Sequence, residues 1–383
     1  MDKPTVQDIF HRFYPAYLDQ YSPSPVQAKV AHNIMNCKTG AYGANVCVCE
    51  DCGFVQIHYN SCRNRCCPMC QAVPKEMWMD ARREDVLDAP YFHLIFTVPD
   101  ILNPVIYSNQ RLLYDALYHA ASSTISELTA DPKHLGAKVG YICILHTWGS
   151  EMNFHPHIHA ILLGGGLASN NQWKDNGENF FLPIRVISKV FRGKYLEELK
   201  RLWKEDKLGF HGTAEKFRNH YTFKELLDSC YGMDWIPHCK KTFNGAQTVI
   251  KYLGKYTHRI AVSNHRTVRM DDDTVTFLVK DYRNEGQWKE LTISGVEFVR
   301  RFLMHVPPRR FVRIRHYGLL CSRTKSQKLT LCRNLLGCKK YLSKLRDMEM
   351  PEILEHLYGI KVCVCKACGG HLGKPQMRMP LRC

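Results

Sequence analysis

The run His155-Pro156-His157-Ile158-His159 constrains this chain more than any other stretch. It leads into Ala160-Ile161-Leu162-Leu163 and then Gly164-Gly165-Gly166. Branched apolar residues ending at a glycine cluster read as a buried strand that stops in a turn. On a strand, side chains two apart share a face, roughly 6.6 Å apart along the axis. His157 and His159 can therefore converge on one ion while Ile158 enters the core. His155 shares that face but lies roughly 13 Å from His159 by the same rise. Pro156 favours a bend between them. The expected ligand pair is His157 and His159. The plainer alternative is a polar strand face with no metal.

Downstream, Tyr252 and Tyr256 sit four residues apart in Lys251-Tyr252-Leu253-Gly254-Lys255-Tyr256-Thr257-His258-Arg259. Val249, Ile250 and Leu253 fit a short helix after the turn pair Asn244-Gly245. Positions i and i+4 share a helix face, so both hydroxyls would meet the same space. A tyrosine hydroxyl has a pKa near ~10 and becomes a useful nucleophile only when a cation or base lowers its proton affinity. Lys255 and Arg259, with Lys251 and His258, supply positive charge suited to a phosphate. Two tyrosines at this spacing are by themselves ordinary packing; the histidine strand gives them chemical meaning.

Lys and Arg number 53 against 36 acids, a formal charge of +17. Such an excess suits a polyanionic partner. From Phe298 to Arg346 there is no Asp or Glu. Arg300, Arg301, Arg309, Arg310, Arg313 and Arg315 there interleave with Phe302, Phe311 and Tyr317. Guanidinium groups neutralise phosphates and rings stack on unpaired bases, so this region is expected to contact DNA.

Eighteen cysteines need an explanation. The start Met1-Asp2-Lys3-Pro4 does not read as a signal peptide. No apolar run approaches the ~20 residues of a membrane span. A cytoplasmic, nucleoid-associated chain is expected, and there clustered cysteines hold metal rather than disulfides. Cys49-x2-Cys52 and Cys67-x2-Cys70 read as paired knuckles on one Zn²⁺. Cys47, His58, Cys62 and Cys66 are close enough for a second site. Cys365-x2-Cys368 is a further knuckle, which Cys332 and Cys338, or His371 and Cys383, could complete.

Five ordered motifs make the chain resemble the HUH endonuclease superfamily, and more narrowly the two-tyrosine rolling-circle transposases of bacterial insertion sequences. They are Ser61 to Gln71, Phe92 to Pro99, the histidine strand, Tyr252 to Arg259, and Arg313 to Gly318. One departure is Cys66, where the family usually has His. The resemblance implies an α+β fold, a central antiparallel sheet flanked by helices with the histidine strand in its middle. It also implies Mg²⁺ or Mn²⁺ at His157 and His159. Gln247, which precedes Tyr252 on the same segment, is the candidate third ligand, and His93 from a neighbouring strand competes with it. Tyr252 and Tyr256 would form 5′-phosphotyrosine links to single-stranded DNA at element ends and in target DNA. No helicase motif Gly-x4-Gly-Lys-Ser/Thr occurs, so a host helicase is an expected partner. A replication-initiator nickase and a non-catalytic zinc DNA-binding regulator are the alternatives; the zinc module favours the transposase. The expected domains are a helical start and zinc module (1–88), the catalytic domain (89–300) and a basic C-terminal region (301–383).

Overall fold

The computed structural model describes residues 3–175, 182–235, 238–243, 249, 254, 261–281 and 284–378, with backbone alone for 238–243 and 378. The chain begins with two helices, Val6–Gln20 and Pro25–Met35. Each carries a reciprocal cap at its first turn, Thr5 with Asp8 and Ser24 with Gln27. Such caps satisfy backbone N–H groups that have no partner within the helix. A small hairpin follows, β1 (Ala44–Val48) and β2 (Val55–Tyr59).

The central sheet is built from β3 (Tyr91–Thr97), β4 (Lys138–Trp148), β5 (Phe154–Leu167), β6 (Trp173–Asp175) and β7 (His238–Phe243), joined much later by an edge strand. Between β7 and that edge strand come β8 (Thr267–Met270), β9 (Thr274–Asp281) and β10 (Gln287–Ser294), a separate sheet of order β10-β9-β8. The edge strand is β11 (Ile314–Gly318), and β12 (Gln376–Arg378) pairs with β1. The central order is β11-β4-β5-β3-β7, with β6 on the end of β5 and every pairing antiparallel. The fold is therefore the expected antiparallel sheet with the histidine strand β5 at its middle.

Alternation along the strands sorts side chains between two cores. Ile158, Ala160 and Leu162 join Phe92, Leu94, Phe96, Cys143 and Leu145 in a core shared with helices Gln110–Ala130 and Ile184–Lys204. The opposite face carries Ile142, Ile144, Ile161 and Leu163. It packs on Met79 of helix Ala72–Arg83, on Leu329 and Cys332 of helix Lys325–Leu336, and on Val249. A further core ties the first two helices to helix Gly295–Met304 and the β8–β10 sheet. There Phe10 meets Phe302 edge-on at 5.2 Å between ring centroids, and Phe277 meets Phe298 at 5.5 Å.

Two expectations are corrected. The glycines do not end the histidine strand, because β5 runs through them to Leu167. They are needed for close approach: a Cβ on Gly166 would lie 2.4 Å from the Lys138 carbonyl oxygen, and one on Gly165 would lie 2.4 Å from the Trp173 ring. Nor does 301–383 stand apart as a basic arm. Its β11 is an edge of the central sheet, its helix Lys325–Leu336 packs on that sheet, and β12 returns to the N-terminal hairpin. Among the described residues no helix is long and apolar enough to cross a membrane.

His305, at the end of helix Gly295–Met304, is buried between Thr147 and Met152. Its Nε2 donates to the Met152 carbonyl at 3.0 Å, and its Nδ1 lies 3.1 Å from the Thr147 hydroxyl. Burial depresses its pKa to about 4. The unfolded chain, with a His near ~6.5, then binds more protons than the folded one between these values. The stabilisation is full above pH ~6.5 and is lost as pH falls through about 4, amounting to about 3 kcal/mol. Denaturant unfolding at pH 7.5 and pH 5 is expected to show less acid sensitivity in His305→Gln; an unchanged slope would refute the assignment.

Candidate metal centre and nucleic-acid surface

β4 and β5 pair with His146 directly opposite His157. The register slips between His146 and Trp148, beside Pro156, which lacks the N–H a regular ladder needs. His157 and His159 occupy the face opposite Ile158, as the two-residue period dictates, and His146 joins them from β4. One ligand nitrogen from each of the three lies within 4.8 Å of the others. The Nε2 atoms of His157 and His159 are 3.0 Å apart.

The outer nitrogens fix how these rings are held. His157 Nδ1 donates to the His155 carbonyl at 2.7 Å, which leaves Nε2 with its lone pair facing His159. His159 Nδ1 lies 2.8 Å from His93 Nε2 across the β3–β5 pairing. With Nδ1 so engaged, His159 also turns Nε2 inward. An imidazole bound to a metal commonly directs its other nitrogen to such a partner. Trp148 stacks on the outer side of His146, centroids 4.6 Å apart.

All three imidazoles are buried. Desolvation, reinforced by His155, lowers the pKa of His157 to about 4. Desolvation first, then His146, His157 and His93, lowers that of His159 well below the usual range. Both are thus neutral at pH 7, the form that binds metal. The two Nε2 atoms, 3.0 Å apart, share a hydrogen bond when one is protonated, and with His146 they converge as a three-imidazole donor set that fits a divalent ion. His155 points elsewhere, to Asp100 at 3.2 Å. His93 lies against His159 and outside the converging group, whereas His146 is inside it. The sequence signal for His146 is a histidine at the polar end of a strand.

Gln247, Tyr252, Lys255, Tyr256 and Arg259 lie outside the described residues. Their neighbours Val249 and Gly254 are described. Val249 is buried with Ile144 and Ile161 on the histidine-bearing side of the sheet. Gly254 abuts Met79, with no room for a Cβ beside its Sδ.

The cysteines pair differently from the sequence expectation. Cys67 and Cys70 converge with Cys37 and Cys62, whereas Cys49 and Cys52 converge with Cys365 and Cys368. In the first group Cys62 and Cys70 sulfurs are 3.8 Å apart. Hydrogen bonds from the Cys62 and Cys67 thiols lower the Cys70 pKa, while those two thiols are themselves raised, and four converging cysteines suit Zn²⁺. Cys66 is in neither group; it is buried near Arg65 and Arg313, and burial raises its thiol pKa. Cys37 was invisible in sequence because it forms no local knuckle.

The arginines also separate by role. Arg300 and Arg301 both hold Glu297, at 2.6 and 2.7 Å. Arg315 pairs with Asp115 and lies over the Tyr118 ring at 4.0 Å. Burial lowers the pKa of Arg313, beside Cys66 and Arg65. Arg300, Arg301 and Arg315 are thus each engaged with a carboxylate of this chain. Arg309 and Arg310 are exposed, on a loop that Arg65 grips through the Phe311 carbonyl at 2.6 Å.

A family model described as "Putative transposase" (Y2_Tnp) matches residues 140–328, which include His146, His157, His159 and both tyrosines. Another, described as "Transposase zinc-binding domain" (Zn_Tnp_IS91), matches residues 9–98. The chain is 40% identical over 369 residues to "Putative transposase y4qJ" of Sinorhizobium fredii (strain NBRC 101917 / NGR234), covering 95% of this chain and 93% of that one. It is 30% identical over 309 residues to "Transposase for insertion sequence element IS801" of Pseudomonas savastanoi pv. phaseolicola, covering 79% and 72%. Among solved structures it is similar to the conjugative relaxase TrwC in complex with oriT DNA. The metal-free form has 15% identity, 47% and 67% coverage and a TM-score of 0.25. A copper-bound form has 14% identity, 67% and 96% coverage and a TM-score of 0.26. A likeness this remote transfers no residue role.

Proposed function

The chain belongs to the family of insertion-sequence transposases that includes the IS801 protein, and on that premise we propose how its residues nick and rejoin single-stranded DNA in rolling-circle transposition. The observation that carries the proposal is the convergence of His146, His157 and His159 on one sheet face. Mg²⁺ or Mn²⁺ held there would polarise the scissile phosphate and stabilise the leaving 3′ oxygen. His93 and the His155 carbonyl keep two of the rings aimed inward.

The hydroxyl oxygen of Tyr252 or Tyr256 attacks phosphorus in line and loses its proton. The P–O3′ bond breaks, the 3′ oxygen leaves and is protonated, and the 5′ phosphate stays on the tyrosine. A second tyrosine accepts a second strand while the first remains linked. Attack by a new 3′-hydroxyl then reverses the step and transfers the strand. Arg309 and Arg310, with Lys255 and Arg259, are the proposed phosphate contacts. Strand separation falls to a host helicase.

The test uses single-stranded oligonucleotides from the element's ends. Chelation is expected to abolish nicking without releasing the DNA, and added Mg²⁺ or Mn²⁺ to restore it. Full nicking in excess chelator would remove the metal from the scheme.

A further inference from the structure

The sequence contains the same turn twice, 316 residues apart in register. Cys49-Glu50-Asp51-Cys52-Gly53 and Cys365-Lys366-Ala367-Cys368-Gly369 both read Cys-x2-Cys-Gly. The structure folds them alike. Gly53 N–H donates to the Cys49 carbonyl and Gly369 N–H to the Cys365 carbonyl, each at 3.0 Å. Both glycines adopt positive φ, 71° and 78°, which a residue with a Cβ rarely takes. In each turn the first cysteine's N–H reaches the carbonyl five residues on, Phe54 at 2.9 Å and Gly370 at 2.8 Å.

The two turns face one another. Cys49 and Cys368 sulfurs are 3.5 Å apart, and Cys52 and Cys365 sulfurs are 3.8 Å apart. A tetrahedral ion with metal–sulfur bonds of ~2.3 Å sets its sulfurs roughly 3.8 Å apart. A disulfide would need ~2.05 Å. Ala367 and Gly370 N–H groups further donate to the Cys365 and Cys368 sulfurs, at 3.4 and 3.3 Å, as suits thiolates.

The surroundings hold little else. The apolar cluster here is only Cys47, Cys49, Cys365 and Leu372. Backbone contacts join the two ends of the chain: β12 on β1, Glu50 N–H to the His371 carbonyl at 3.1 Å, and Gly373 N–H to the Val48 carbonyl at 2.9 Å. So small a module needs a metal to order it.

We propose that Cys49, Cys52, Cys365 and Cys368 form a four-thiolate zinc site that staples the C-terminal tail onto the N-terminal hairpin. Half of its ligands lie beyond residues 9–98, so the zinc-binding region is completed only by the end of the chain. The site is distinct from Cys37, Cys62, Cys67 and Cys70 and does not depend on the nuclease chemistry.

The test is zinc content of the full chain, read as equivalents lost relative to wild type. Cys52→Ser and Cys365→Ser should each lose one equivalent, and their combination the same one. Cys52→Ser with Cys67→Ser should lose two. Full zinc retention in Cys365→Ser, or two equivalents lost from the Cys52/Cys365 combination, would overturn the shared site. If a variant fails to fold, thiol alkylation of the wild-type chain decides. Cys52, Cys365 and Cys368 should be protected together and become reactive in one step as a chelator removes zinc. Equal alkylation of Cys365 and Cys368 in loaded and stripped protein would overturn the proposal.

Discussion

The double variant Tyr252→Phe/Tyr256→Phe is expected to form no covalent DNA adduct while still binding single strands. Phe keeps the ring and removes only the oxygen that would bond to phosphorus. An unassisted phenol near pKa ~10 is almost wholly protonated at neutral pH, so catalysis requires a cation close to one hydroxyl. Of the flanking residues with described positions, Val249 is buried with Ile144 and Ile161, and Gly254 lies against Met79. Ile144 is two residues from His146 and Ile161 two from His159, on the same face of their strands.

The single variants separate one nucleophile from two. Each should still trap one strand but fail to complete strand transfer, which consumes two acceptors. Mass mapping of the trapped peptide identifies the attacking residue. A wild-type adduct level in the double variant, or an adduct on another residue, would remove the tyrosine pair from the mechanism.

How much of this was legible beforehand depended on the range of each signal. His157 and His159 were readable because a period of two is local to one strand. His146 was not, since its place opposite His157 arises from the β4–β5 register. The glycines misled for a related reason: a glycine cluster signals a turn unless neighbouring backbone or an aromatic ring crowds the strand, and here Lys138 and Trp173 do. Each Cys-x2-Cys knuckle was legible, but which knuckles share an ion was not. Cys52 meets Cys365 across 313 residues, while the nearer knuckle Cys67-x2-Cys70 closes with Cys62 and the isolated Cys37. The acid-free run after Phe298 looked like a free basic surface. Yet Glu297 stands one residue before it and Asp115 is brought in from another helix, and these engage Arg300, Arg301 and Arg315.

His146→Ala is the sharpest test of the metal centre, because the register alone assigns that residue. It should lose cleavage as completely as His157→Ala or His159→Ala, with single-strand binding retained, since the exposed arginines lie on another loop. His93→Phe gives the contrast. His93 meets His159 at its far nitrogen, so its loss should weaken metal affinity by roughly 10–100-fold and be recoverable with more Mn²⁺. His155→Ala should do less still, since that side chain faces Asp100. A ligand variant and an orienting variant therefore differ in their metal-titration curves, which are flat for His146→Ala and displaced for His93→Phe. Calorimetric titration of Mn²⁺ reads the same difference without turnover. If His146→Ala cleaves and binds Mn²⁺ like wild type while His93→Phe does neither, the third ligand is His93 and the assignment from register fails.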